Sequence, residues 1–268
     1  AIEAGAAPVL ALFDADQRPH ERAIAHGVAA LEDADVARVR SIPDPSGGLL
    51  ESMVYYEYLF LFFLPQTLVS TLLGLRIAGT RSVLIERDVF EDVGTFSAGH
   101  LAEDLDFTHR CHQAGVEIRE LQRYPTLEAP AHTWRDWWGQ RLRWMSGQLD
   151  VSASHLRDLK PDLDHLASLA TLLGTLVAGV LLAMTIPKVV VSGLGQPLAV
   201  GAGLAGVYAI ALATRVADNR ARPLSGVGLG WVLLPLAFTL FGLVIVRVIF
   251  GYAVGREGGW YSVEKDVG

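Results

Sequence analysis

Residues 8–16 read PVLALFDAD. An unbroken apolar run of this length, closed by acids, is the pattern of a buried strand whose carboxyl end carries Asp14 and Asp16. Open α/β sheets gather their ligand sites at such strand ends. If the chain turns at Ala15, both carboxylates point the same way, offering hard oxygen donors for Mg²⁺ or Mn²⁺. The spacing alone is more often that of a solvated turn, so more of the chain is needed to decide.

Working outward, HERAIAHGVAALED (20–33) has helical spacing, ADVARVRSIP (34–43) is a second strand and PDPSGG (43–48) a loop. TRSVLIERDVFEDVG (80–94) reads as strand then short helix, and AEDLDFTHRCHQAG (102–115) as a helix ended by Gly115. VEIRELQ (116–122) is a further strand, and TWRDWWGQRLRWMSGQL (133–149) an amphipathic helix rich in Trp and Arg. Alternating strands and helices predict a mainly parallel α/β sheet.

The composition divides the chain. Half of its 268 residues are hydrophobic (51%) and only 19% are charged, with a mean hydropathy of +0.34, which suggests partial membrane embedding. Residues 1–164 carry 25 acids against 15 Lys and Arg, and residues 165–268 carry 4 against 7. The acidic front excludes nucleic acid as a partner, because phosphates demand clustered cations. One cysteine, Cys111, rules out a disulfide within the chain. The opening AIEAGAAPVLALFD is not a signal peptide and reads as the interior of a domain, so the chain is expected to be part of a longer protein.

Residues 166–187 are apolar and uncharged, long enough to span a bilayer core, and 189–214 are again uncharged. The loop with Arg215, Arg220 and Arg222 is expected to be cytoplasmic, making the two spans a hairpin and the α/β part cytoplasmic too. A third stretch, 229–255, contains Pro235 and Arg247 and is expected to be broken, re-entrant or surface-lying. The apolar stretch 58–79 is expected to be a buried or interfacial helix, because a span there would put the two acid clusters in different compartments. The division expected is 1–150 for the α/β part, 151–165 for a linker, 166–255 for transmembrane and interfacial helices, and 256–268 for a cytoplasmic tail.

The second acid cluster lies in LAEDLDFTHR (101–110). Glu103 and Asp104 open a helix, with Asp106 two residues on. Carboxylates in a first turn are favoured by the helix dipole and serve to cap it; one of them could also act as general base towards a hydroxyl. In QRLRW (140–144), Gln140, Arg143 and Trp144 fall at i, i+3 and i+4 on one helix face. An amide, a guanidinium and an indole suit a sugar or a diphosphate. The same helix, with Trp134, Arg135, Trp137 and Trp138, would also suit a membrane boundary. His109, Cys111 and His112 read as an ordinary helix surface, and Tyr55, Tyr56 and Tyr58 as packing or interface anchors.

Taken in order, DAD, AEDLDF, QRLRW and the apolar stretches behind them resemble the membrane-embedded family 2 glycosyltransferases, which include the cellulose, hyaluronan and poly-N-acetylglucosamine synthases. GTRSVLIERDVFEDVGTF (79–96) is similar to the segment that precedes that family's Glu-Asp motif. The resemblance implies a partial GT-A, Rossmann-like glycosyltransferase domain followed by transmembrane helices. It implies inverting, metal-dependent transfer from a nucleotide-sugar, usually a UDP-sugar, to a polysaccharide or lipid acceptor at the membrane. Asp14 and Asp16 would hold Mg²⁺ or Mn²⁺ on the donor diphosphate, and Asp104 would be the base, with Glu103 beside it. Gln140, Arg143 and Trp144 would line the donor and acceptor site. GGWYSVEK (258–265) resembles a terminal element that closes over the donor, which adds Trp260 and Lys265 with Ser262 displaced by one. The family's nucleotide-binding half is not in this sequence, so the chain alone is expected to be inactive. A single-addition lipid glycosyltransferase and a non-catalytic membrane scaffold are the alternatives.

Overall fold

The computed structural model describes residues 7–45, 47–63, 81–97, 102–157 and 229–255, with Lys188, Val191, Ser192, Gly206, Ala209 and Ala213 as isolated positions. Apart from those positions, the spans expected at 166–187 and 189–214, the arginine loop, residues 64–79 and the tail with Trp260 and Lys265 lie outside the described residues.

The elements are β1 (Val9–Leu12), β2 (Gln17–Pro19), α1 (Ala23–Ala30), β3 (Val36–Pro43) and α2 (Leu49–Tyr58), the last prolonged by a π-helical turn, Leu59–Phe63. Next come β4 (Val83–Glu86), α3 (Val89–Val93), α4 (Glu103–Ala114), β5 (Ile118–Glu128) and α5 (Trp134–Arg157). A 3₁₀ turn, Gly230–Leu233, leads into α6 (Leu234–Ala253). The five strands form one sheet in the order β1-β4-β3-β5-β2.

The sheet is mixed, which corrects the expectation of a mainly parallel one. β3 and β5 are parallel, whereas β1–β4, β3–β4 and β2–β5 are antiparallel. An apolar run reports burial on two faces, not strand direction. Between β3 and β4 the chain leaves and returns at the same end of the sheet, so no crossover forms. β1 is also not the buried strand expected: it lies at the sheet edge and is partly exposed.

Neighbouring strand residues point to opposite faces, and both faces are covered. Val36, Val83 and Ile85 pack with Val89, Phe90, Phe107, Cys111 and Ile118 beneath α3 and α4. Ala37, Val39 and Leu84 pack with Ala23 and Ala30 of α1 on the other side. Gly115 ends α4 in the left-handed conformation, φ 76°, as its position in the sequence predicts. His109 and Cys111 are fully buried in α4, so the helix-surface reading of this trio is corrected for those two. Burial pushes the Cys111 thiol up to about 12, leaving it without thiolate character.

A helical layer adjoins the sheet. Thr133 caps α5: the Asp136 N–H donates to Thr133 Oγ1 at 3.1 Å, and the Thr133 hydroxyl donates to Asp136 Oδ2 at 2.6 Å. Met53 and Val54 of α2, Trp137 and Met145 of α5, and Phe241, Val244 and Ile245 of α6 form one apolar cluster. Tyr55 and Tyr56 pack with Ile42, Leu59, Leu234 and Phe238 in another, as packing residues should. The 3₁₀ turn lies directly on α2: the Gly230 N–H donates to Ser52 Oγ at 3.1 Å, and a methyl group at 230 would collide with the backbone of Ser52 and Met53.

α6 is one continuous helix, which corrects the broken reading. Pro235 sits in its first turn, where a missing N–H costs nothing, and Arg247 is exposed. Gly230–Ala253 is, among the described residues, the helical stretch long and apolar enough to cross a membrane by length and composition, with 44% of its apolar window buried. α5 runs to Arg157, past residue 150, where the α/β part was expected to end.

Candidate active site

β1, β3 and β5 end, and β2 and β4 begin, at the same end of the sheet. The chain turns there between Asp14 and Gln17, whose N–H donates to the Asp14 carbonyl at 3.0 Å. Gln17, buried, fastens the turn. The Asp14 N–H donates to Gln17 Oε1 at 2.9 Å, and Gln17 Nε2 donates to Asp14 Oδ2 and Ser41 Oγ, both at 3.4 Å. The Ser82 hydroxyl donates to Gln17 Oε1 at 2.8 Å, and the Ser41 hydroxyl to Glu128 Oε2 at 3.0 Å. One partly buried polar network therefore joins the turn to the ends of β3 and β5 and the start of β4.

Glu128 and Arg81 complete this end of the sheet. Arg81 Nη1 lies 3.6 Å from Glu128 Oε2, and its guanidinium stands 5.4 Å from the centre of the Trp144 ring. Lost hydration, the largest influence, pulls the Arg81 guanidinium down, but Glu128, Asp104, Asp14 and Asp16 together hold it above its ordinary value. Although Asp14 is largely exposed, crowding by protein on one side lifts its carboxyl above the usual range. Arg81 opposes that lift, and Asp16, Glu128 and Asp104 add to it. The structure thus brings Asp14, Asp16 and Asp104 into one electrostatic cluster with Glu128 and Arg81.

The raised Asp14 pKa has a consequence for stability. A carboxyl that holds its proton more tightly when folded stabilises the fold below its unfolded value, here near 3.8, and loses that contribution as pH rises through the folded value. At pH 7, charged Asp14 is a net burden. Asp14→Asn is expected to raise the melting temperature at pH 7 by about 1–2 °C, the scale of a surface change of ~0.5 kcal/mol, and to change nothing near pH 3.5. Melting curves at both pH values check this; a lower melting temperature at pH 7 would contradict it.

The three acids of α4 divide by role. Asp106 is buried, accepting from Ser97 Oγ at 2.8 Å and pairing with Arg110 Nε at 3.0 Å. Arg110 also donates to the carbonyls of Val93 at 2.6 Å and Thr95 at 2.8 Å, so this pair ties α4 to the loop before it. Glu103 and Asp104 are half-buried in the first turn.

α5 presents QRLRW differently from the expected face. Gln140 is buried, and its amide oxygen accepts from Arg141 Nη1 at 2.6 Å. Arg141, passed over in the sequence, grips Glu57 of α2 with two donors, Nη2 at 2.6 Å and Nε at 3.1 Å. Trp137 Nε1 donates to the same carboxylate at 2.8 Å. The Arg141 guanidinium also lies 4.3 Å from the Trp144 ring centre. Trp144 and Arg143 are half-buried. Trp144 therefore lies close to two guanidiniums, one anchored inside and one belonging to the acid cluster.

The donor set suits a divalent cation. Among the described residues no three His, Cys, Asp or Glu side chains form a ready metal cage. Mg²⁺ sites commonly use one or two carboxylates and complete their shell with water and substrate phosphates. Asp14 and Asp16, on one turn and within an excess of negative charge, meet that requirement.

Comparisons with known proteins agree on the kind of domain. The model of a family described as glycosyl transferase family group 2 matches residues 9–246. The probable glycosyltransferase YdaM of Bacillus subtilis (strain 168) is 29% identical over 150 residues, 52% of this chain and 34% of that protein. The chain thus spans about a third of the length of that relative. Among solved structures, the mannosyltransferase PcManGT from Pyrobaculum calidifontis in complex with GDP-Man and Mn²⁺ superposes with a TM-score of 0.54. That match has 16% identity and covers 96% of this chain and 65% of the other, a likeness of fold.

Proposed function

The chain belongs to glycosyl transferase family group 2, and from that premise we propose that it carries part of an inverting, metal-dependent glycosyltransferase. The enzyme moves a sugar from a nucleotide-sugar, a UDP- or GDP-sugar, to a hydroxyl of a growing polysaccharide at a membrane. The observation that carries this reading is the convergence of Asp14, Asp16 and Asp104 around Arg81 and Glu128 at one end of the sheet.

Asp104 takes the proton of the acceptor hydroxyl. That oxygen attacks the anomeric carbon as the bond to the diphosphate breaks, and the nucleoside diphosphate leaves. A single base suffices for direct displacement with inversion, whereas the retaining route needs a second carboxylate as nucleophile. Asp14 and Asp16 would hold Mg²⁺ or Mn²⁺, which when bound neutralises charge on the leaving diphosphate. Arg143 and Trp144, half-buried on α5, line the donor and acceptor side, and Glu103 flanks the base. Trp260 and Lys265 are assigned to closure over the donor by resemblance alone.

Membrane association is supported by α6, whose Leu236, Leu243, Val246, Ile249 and Phe250 are exposed; an integral location with the catalytic part cytoplasmic is assigned by resemblance alone. A lipid-linked acceptor, receiving one sugar, is the second reading. In its favour is an open groove of about 610 Å³ between α5 and α6, lined by Trp134, Trp138, Leu142 and Leu240 with Arg135 and Arg247. None of the acids lines it.

Nucleotide release from UDP- and GDP-sugars, in membranes carrying the full reading frame, tests the proposal. Turnover is expected with at least one donor, lost on chelation and restored by Mg²⁺ or Mn²⁺. Product length then separates polymer from single addition. Folded protein that turns over no donor would leave the scaffold reading standing.

A further inference from the structure

We propose that Arg81 is a built-in counter-ion of the acid site, and that it competes with the divalent cation for these carboxylates. The inference rests on the reading that Asp14 and Asp16 bind the metal.

The two guanidiniums near Trp144 are held in opposite ways. Arg141 is 2% exposed and fixed by two donors to Glu57, at 2.6 and 3.1 Å. Arg81 is 40% exposed, and its approach to Glu128, 3.6 Å, is longer than a hydrogen bond. A long, partly solvated side chain in a loose ion pair exchanges partners readily. Its charge is coupled to four carboxylates: Glu128, which it approaches at 3.6 Å, and Asp104, Asp14 and Asp16. One cation does not neutralise that set, and a divalent ion entering it would meet the guanidinium as a like charge.

The chain is also built to deliver Arg81 there. The next residue, Ser82, has φ 54°, a left-handed backbone conformation that is costly for a residue other than glycine. Such a conformation persists where its surroundings over-determine it. Ser82 is buried, its carbonyl accepts from the Val39 N–H at 2.7 Å, and its hydroxyl donates to Gln17 at 2.8 Å. The strained residue is thus pinned to the amide that fastens the Asp14 turn, which sets Arg81 beside the acids.

The test is Mn²⁺ binding to the 268-residue chain without nucleotide, followed by electron paramagnetic resonance of the free ion. Arg81→Gln is expected to tighten Mn²⁺ binding roughly tenfold by removing the competing charge, while Arg81→Lys stays near wild type. Asp16→Asn should weaken binding in either background. Affinity unchanged or reduced in Arg81→Gln, with Asp16→Asn still weak, would sink the proposal and leave the metal site intact. No Mn²⁺ binding in any form would sink both. A second measurement needs no Arg81 variant: Mg²⁺ added to the wild-type chain should change the Trp144 fluorescence, identified by its loss in Trp144→Phe, as the guanidinium leaves the ring. Emission that does not respond under Mg²⁺ saturation would overturn the displacement.

Discussion

Asp104→Asn is expected to lower turnover by a factor of about 10² to 10⁴, the usual contribution of a positioned general base. The substitution keeps shape and hydrogen bonding: the Leu105 N–H donates to Asp104 Oδ1 at 2.9 Å, and an asparagine oxygen accepts that bond equally well. What is lost is the proton acceptor and one negative charge facing Arg81. Because donor binding rests on the other side chains of the cluster, kcat should carry most of the loss and KM little of it. Asp106→Asn is the contrasting variant. Its carboxylate is committed to Ser97 and Arg110, so it should lower stability and leave the folded fraction active. Nucleotide release per folded protein, measured for both, decides the matter. Wild-type turnover in Asp104→Asn would remove this residue as base and favour a scaffold role for the domain.

Glu57→Gln should be the most damaging single change to the fold. Glu57 is fully buried and takes three donors, two from Arg141 and one from Trp137. Removing its charge leaves the Arg141 guanidinium buried without its counter-ion, which costs about 3–5 kcal/mol in comparable pairs. At about 2–4 °C per kcal/mol for a domain of this size, the melting temperature should fall by about 6–20 °C. The fall measures a broken pair rather than the net worth of an intact one. Replacing both partners with leucine should therefore recover much of it. Thermal unfolding of the single and double variants gives both numbers; a loss below about 1 kcal/mol in Glu57→Gln would mean water already reaches the pair. The effect should spread to QRLRW, since Arg141 also holds the Gln140 oxygen and lies against the Trp144 ring.

The legible parts of this chain were those governed by local rules. Gly115 as a helix stop, the short helix after SVLIERD and the Trp-rich helix all stand where capping and periodicity place them. Strand direction was not legible, because a strand buried on both faces has the same composition either way. β2 escaped notice since three residues carry no period, and its existence depends on pairing with the distant end of β5. The acids were visible because charges in an apolar chain stand out, but which acid is structural was not. Asp106 and Asp104 differ only in what surrounds them, Arg110 and Ser97 in one case and the distant Arg81 in the other. Glu57 and Arg141 lie far apart in sequence, and no periodicity within one helix reveals a partner on another. Nothing in the local pattern singles out Arg81, one residue ahead of Ser82 and β4.

The pairing of β5 with β3 shifts partway along: Val39 faces Leu121, yet Ser41 faces Thr126. Four residues of β5, Gln122–Pro125, stand where β3 has Arg40 alone; they include Tyr124 at φ 58° and bulge out before the strand resumes. That bulge sets the phase of everything after it. Because successive side chains alternate between faces, deleting one residue within it would bring Ala129 to the position of Glu128 and present the wrong face throughout the last turn of the ladder. The length of this segment is therefore under tighter constraint than its composition. Substitutions there cost packing around Tyr124, whereas a change in length would dismantle the acid cluster from a distance.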